Sequence, residues 1–123
     1  MALGLLVANA CLFSCKKKII DNSSTQPLPA VVSFSQHIVP VFNASCNSSG
    51  CHSGSSAAAG LNLLSSVAYQ QLFSKHEIDT VNVNSSNLHI EVASGAMPKG
   101  SNKLSEYNIN LIQKWIQQKA KNN

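Results

Sequence analysis

The sequence contains no arginine, and charged residues of every kind are scarce. Only 11% of its 123 residues are charged, and nine lysines against five acids give a net charge of +4. Three of these lysines are consecutive (Lys16, Lys17 and Lys18), so the rest of the chain is close to neutral. A nucleic-acid-binding domain needs a concentrated basic face, usually with arginine. We therefore expect no nucleic-acid partner.

The sequence also lacks the patterns of an enzyme that acts through its own side chains. It has no nucleophile–base pair, no cluster of carboxylates and no glycine-rich phosphate loop. We therefore expect the polypeptide not to be an enzyme, with any chemistry supplied by a bound cofactor. A chain of 123 residues forms one domain with a thin core, which a cofactor or a covalent cross-link would help to stabilise.

No apolar run is long enough to cross a bilayer as a helix, for which about 20 residues are needed. The first residues, "MALGLLVANACLFSC", are apolar, uncharged and shorter than that. They are typical of a secretory signal, although a short buried helix is an alternative. The ending "LFSC" resembles a bacterial lipobox, whose cysteine is acylated and becomes the mature N-terminus. We predict a signal peptide at residues 1–14 and a lipid anchor on Cys15.

Export has consequences for location and for thiol chemistry. The lysines that follow Cys15 would lie against anionic head groups of the membrane. The protein would be lipid-anchored to a bacterial membrane and would face the periplasm or the cell surface. In an oxidising compartment, free thiols close in sequence do not stay idle. Cys46 and Cys51 are therefore expected to be bridged, metallated or otherwise covalently used.

The rest of the chain divides into a tether and a helical domain. Residues 15–32 mix lysine, serine and proline without periodicity, which predicts a flexible tether. Residues 33–123 are predicted to be all-α, with about four short helices and long loops. The last helix has the clearest pattern, because Ser105 is a typical cap and isoleucines recur at helical spacing after it. The long loops would be explained by a large flat apolar ligand on which they pack.

The stretch "CNSSGCH", residues 46–52, allows three kinds of site. A zinc ion would take Cys46, Cys51 and His52, with a fourth ligand from the remaining histidines, which are His37, His76 and His89. The adjacency of Cys51 and His52 makes such a tetrahedral site awkward. A Cys46–Cys51 disulfide would close a very short loop and stabilise the fold little, in a lipoprotein with no cofactor. Haem attachment is the third alternative, and it uses all three residues.

In the haem hypothesis, Cys46 and Cys51 form thioether bonds to the porphyrin, and His52 is the proximal ligand of the iron. The residues between the cysteines, "NSSG", are suited to bulge outward. The loop "GAMPKG" offers Met97 as the distal ligand, since a thioether binds haem iron and raises its potential. His89 is an alternative distal ligand. Leu61 and Leu63 alternate with polar residues and are expected to line the haem pocket.

Four stretches resemble successive blocks of the small c-type cytochrome domains of exported bacterial proteins. They are "FSQHIVPVFNASC....CHS", "AGLNLLSSVAYQQL", "SSNLHIEVASGAMPKG" and "LSEYNINLIQKWIQQKAKN". The resemblance covers roughly residues 33–122, and its most specific parts are the Cys-His pair, the Met-Pro pair and the helix with "IQKWI". The spacing C-x4-C-H departs from the common C-x2-C-H.

This resemblance implies a fold, a cofactor and a function. It implies one covalent haem c between the first and last helices, attached at Cys46 and Cys51 and ligated by His52 and Met97. It places Trp115 against the ring. It implies one-electron transfer with redox protein partners, and the alternative function is a haem-based gas sensor in which Met97 gives way to the gas.

Overall fold

The computed structural model describes residues 26–123, and this part of the chain is helical with no β-strand. The all-α prediction is therefore confirmed for this part. A π-helical turn at Phe34–Ile38 leads directly into α1, and short 3₁₀ turns lie at Ala58–Gly60 and Val83–Ser85. The α-helices in this part of the chain are α1 (Val39–Ser45), α2 (Ala68–Ser74), α3 (Asn87–Ser94) and α4 (Glu106–Gln117).

Helix α4 provides the largest apolar surface of the core. Ser105 caps it as predicted, because the Ser105 hydroxyl accepts a hydrogen bond from the Asn108 amide at 3.2 Å. The stripe that the sequence predicts is buried as one face, which packs on α3 and on the first helical segment. Its buried residues are Ile109, Leu111, Ile112, Trp115 and Ile116.

An aromatic cluster joins α4 to the first and second helices. The ring of Phe34 lies 5.2 Å from Trp115 and 5.3 Å from Tyr69, measured between centroids. Trp115 is fully buried, and its indole N–H donates to the carbonyl of Lys121 at 2.9 Å. This bond satisfies the polar atom of a buried tryptophan and fixes the chain that follows α4.

The ordered domain begins before the predicted boundary at residue 33. Val32 is 1% exposed, and Leu28 packs against the core. The side-chain amide of Gln118 accepts from the Val32 amide at 2.9 Å and donates to the Ala30 carbonyl at 2.7 Å. Residues 28–32 therefore belong to the domain and not to a flexible tether, because their apolar side chains and backbone groups find partners on it.

The predicted signal peptide at residues 1–14 and the lipid-bearing Cys15 lie outside the described residues. Within residues 26–123, none of the helices combines the length and the apolar character that crossing a membrane requires.

The serines that precede α2 and α3 do not cap these helices through their side chains. Neither Ser65 nor Ser66 caps α2. Instead, the amides of Val67 and Ala68 donate hydrogen bonds to the Leu64 carbonyl in a backbone turn that leads into the helix. Ser86 precedes α3 but makes no capping bond. At the start of α2, backbone carbonyls therefore accept the amide hydrogen bonds that a capping hydroxyl would otherwise accept.

The polar segment before α3 is folded around Ser86. The Ser86 hydroxyl accepts from the Asp79 amide at 2.7 Å and donates to the Asp79 carbonyl at 3.1 Å. The Asp79 carboxylate accepts from the amides of Asn82 and Val81, and these bonds hold its pKa below the ordinary value. Residues 79–86 thus form a closed loop, because the side chains of Asp79 and Ser86 make hydrogen bonds with the backbone of the same segment.

We expect Ser86→Ala to lower the free energy of unfolding by about 1–3 kcal/mol, the cost of leaving a buried amide without a partner. Ser86 is 1% exposed, so water cannot easily replace its hydroxyl at Asp79. Urea unfolding of the purified protein measures the change. Ser85→Ala is the matched control, since Ser85 is exposed, and it should have little effect. Equal stability of the two variants would contradict the structural role of Ser86.

Candidate functional site

The end of α1 forms the cysteine loop. Cys46 is the C-cap residue of α1, and its amide donates a hydrogen bond to the Phe42 carbonyl at 2.8 Å. The amide of His52 donates to the Cys46 carbonyl at 3.1 Å and closes the loop. Between them, the Cys51 amide bonds to Ser48 in a turn where Gly50 has φ +81°, a conformation that favours glycine.

This turn accounts for the two additional residues between the cysteines. Residues 48–50 are exposed, whereas Cys46 and Cys51 are half-buried. The predicted outward bulge is therefore confirmed. The longer spacing changes the surface of the loop but still leaves both cysteines and His52 beside the same cavity.

The ring of His52 is held by the segment that follows. Its Nδ1 lies 3.2 Å from the Leu61 carbonyl, and the Leu63 amide donates to the His52 carbonyl at 2.9 Å. A carbonyl only accepts, so Nδ1 is the protonated nitrogen in this bond. The Nε2 atom then carries the free lone pair that a metal ligand needs.

The loop that follows α3 positions Met97. Gly95 ends the helix in the left-handed conformation with φ +81°, and the Met97 amide donates back to the Glu91 carbonyl at 3.0 Å. The half-buried Met97 borders the same two cavities as His52. A methionine in a glycine- and proline-containing loop is thus part of a concave site and not of the apolar core.

Two adjoining cavities form the candidate site. The smaller, of about 210 Å³, is bordered by Cys46, Cys51, His52 and Met97. The larger, of about 380 Å³, shares Cys46, His52 and Met97 with it. The larger cavity is otherwise bordered by apolar residues of the segment after the cysteine loop and by both apolar and polar residues of α3. Its apolar walls include Leu61, Leu63, Leu88 and Val92.

Both cysteines are free thiols in the structure. Burial, and to a lesser extent the neighbouring Cys51, raises the pKa of the Cys46 thiol to about 11. The thiolate is the reactive species in disulfide exchange, so a raised pKa is the opposite of what a catalytic redox thiol has. The Cys46 thiol is therefore poorly suited to be the attacking nucleophile of thiol–disulfide exchange.

The carboxyl groups of Glu77 and Glu91 border the larger cavity, and no pattern in the sequence predicts them there. Burial raises the pKa of Glu77 above its ordinary value, nearby Glu91 adds to this, and His52 partly opposes it. Leu88 and Val92 were missed as lining residues as well. Their i, i+4 spacing on the helix just before Met97 is the signal that would have placed them beside it.

Several predicted residues lie away from the two cavities. Trp115 borders neither cavity and packs in the aromatic core, and the contact with a haem ring that the resemblance implies stays a prediction. The ring of His37 instead accepts from the Ser33 amide at 2.8 Å. His76 and His89 also border neither cavity. Among residues 26–123, no three histidine, cysteine or acidic side chains are grouped as a metal ion would require, so the zinc hypothesis gains no fourth ligand.

Comparison of the chain with protein-family models, with curated proteins and with solved structures finds no match.

Proposed function

We propose that this chain is a single-haem c-type cytochrome that transfers one electron at a time between redox proteins and is held at a bacterial membrane by a lipid on Cys15. One observation carries the proposal. The cysteine pair, His52 and the distant Met97 border a single cavity. No simpler role uses two thiols, an imidazole and a thioether together.

The residues present fit a haem. Ligand pockets in proteins occupy roughly 300–1,000 Å³, and the two adjoining cavities together fall in this range. Cys46 and Cys51 would hold the porphyrin through thioether bonds, and His52 and Met97 would bind its iron. The apolar side chains of Leu61 and Leu63 are already buried at the cavity wall. They would shield an apolar ring without any rearrangement of the core.

The chain would tune the cofactor in two ways. When bound, the haem supplies an iron atom that accepts and releases one electron. The Leu61 carbonyl orients His52 through Nδ1 and increases the basicity of its Nε2. The thioether of Met97 is a soft donor, which favours the reduced state and raises the potential. The apolar walls of the cavity would exclude water from the haem and would also raise its reduction potential.

The intact mass and the visible spectrum test this proposal. The full chain should be purified from cells that mature c-type cytochromes. We expect a mass that exceeds polypeptide plus lipid by one haem, and sharp low-spin bands after reduction that carbon monoxide leaves unchanged. Rapid carbon monoxide binding would favour the gas-sensor alternative. A colourless protein without the added mass would remove the haem hypothesis and leave the disulfide and zinc alternatives.

We expect Met97→Ala to lower the reduction potential and to let carbon monoxide bind, because the axial ligand is lost. Axial ligands change haem potentials over about 0.8 V, so the shift should be large compared with that of a surface substitution. Lys99→Ala is the matched control, since Lys99 borders the same cavity two residues later. An unchanged spectrum of Met97→Ala would exclude Met97 as a ligand, and His89→Ala would then be measured.

A further inference from the structure

One end of the domain brings together the incoming chain and the end of α4. Val31 is 64% exposed although it is apolar. It borders an open cavity of about 340 Å³ together with Lys119 and Lys121. Gln118 fixes this arrangement through its two hydrogen bonds to the backbone of residues 30–32. The exposed valine and the lysines are therefore held on the same surface.

This surface is positively charged. Lys119 and Lys121 border it, and the sequence has no acid after Glu106. Neither lysine forms an ion pair within the part of the chain that the structure describes. Lys119 donates to the carbonyl of Thr80 at 3.0 Å, next to Asp79. These lysines form no ion pair with the Asp79 carboxylate, and Lys119 and Lys121 together exceed its single negative charge by one.

We propose that this surface, the basic face formed by Val31, Lys119 and Lys121, docks on an anionic lipid bilayer. The inference rests on the lipid anchor of the proposed function. Only residues 16–25 lie between Cys15 and the described chain, so the anchor keeps residue 26, five residues before Val31, within about 40 Å of the bilayer. An anionic surface attracts lysines within a Debye length, and the exposed valine would enter the interface.

The chain's own N-terminal segment is a poorer occupant of this face. The residues that lead into it include Lys16, Lys17 and Lys18. These charges would repel Lys119 and Lys121, whereas an anionic bilayer would attract all of them. The segment and the basic face are therefore both suited to the same lipid surface.

Docking in this way would direct the cofactor site away from the membrane. The loop that carries Met97 leads into the N-terminal end of α4, and the basic face lies at its C-terminal end. The 12 residues of α4 span about 18 Å. The cavities of His52 and Met97 would then be presented to redox partners in solution and not to lipid.

Amine acetylation followed by mass spectrometry tests the docking on the full lipidated chain. The protein is placed in vesicles of phosphatidylcholine alone, in phosphatidylcholine–phosphatidylglycerol vesicles, and in detergent micelles. We expect Lys119 and Lys121 to be acetylated several-fold more slowly on the phosphatidylglycerol vesicles than in the other two samples. Lys75 and Lys99 are exposed internal controls and should react at the same rate in all three. High salt should remove the difference.

Other patterns of acetylation would contradict the docking. Equal rates at all lysines, or slower acetylation of Lys99, would overturn the docking. Equally slow reaction of Lys119 and Lys121 in micelles would mean that the chain itself or a second copy covers the face, and the proposal would be wrong. The intact mass separates the two failures. A chain without lipid removes the anchor and the docking together, whereas a lipidated chain with uniform rates removes only the docking. No arm of the experiment depends on haem.

Discussion

A protein in which Cys46 and Cys51 are both replaced by serine should be colourless and should have only the mass of its polypeptide and lipid. The reason is geometric, because the two thiols border the same cavity as His52 and no other described cysteine is available to hold a cofactor there. Serine preserves the size and polarity of the loop but forms no thioether. Intact mass and the visible spectrum of the denatured protein measure the loss, since denaturation releases any haem that is not covalently bound.

The single variants and one control sharpen this test. Cys46→Ser and Cys51→Ser should each leave one possible thioether, so attachment should be reduced and not abolished. Ser49→Ala lies between the cysteines, but Ser49 is exposed in the outward turn, and this variant should keep the haem. A double variant that retains covalent haem would show that the attachment site is elsewhere.

The sequence predicts short-range parts of this molecule well. The cap at Ser105 and the buried isoleucine stripe after it depend on residues a few positions apart, and both are formed. The cysteine loop can be predicted from the sequence for the same reason, because Cys46, Cys51 and His52 lie within seven consecutive residues. Gly95 also ends α3 as its position suggests.

Long-range partners could not be predicted from the pattern. Ser86 resembles a helix cap, yet its hydroxyl is taken by the backbone of Asp79. Residues 28–32 resemble a tether because their partner, Gln118, lies at the other end of the chain. Glu77 and Glu91 reach the cavity only after three segments have packed together. A single sequence does not say which surfaces a polar residue will meet.

The environment of Trp115 is a further case in which tertiary packing decides between two roles. We expect Trp115→Ala to lower the free energy of unfolding by about 3–5 kcal/mol, the usual cost of truncating a buried aromatic side chain. This is a large share of the roughly 5–15 kcal/mol that stabilises a domain. The variant would lose contacts with Phe34 and Tyr69 and the hydrogen bond to Lys121. Urea unfolding measures the change, and Gln117→Ala, at an exposed position of the same helix, is the control.

Trp115→Phe separates a core role from a cofactor role even if the alanine variant does not fold. Phenylalanine keeps most of the ring packing but leaves the Lys121 carbonyl without its indole donor, which should cost about 1–3 kcal/mol. The visible spectrum and the reduction potential should not change, because Trp115 borders neither cavity beside His52. A shifted potential at unchanged stability would place Trp115 against the haem, as the resemblance to c-type cytochromes implies, and would contradict its assignment to the aromatic core.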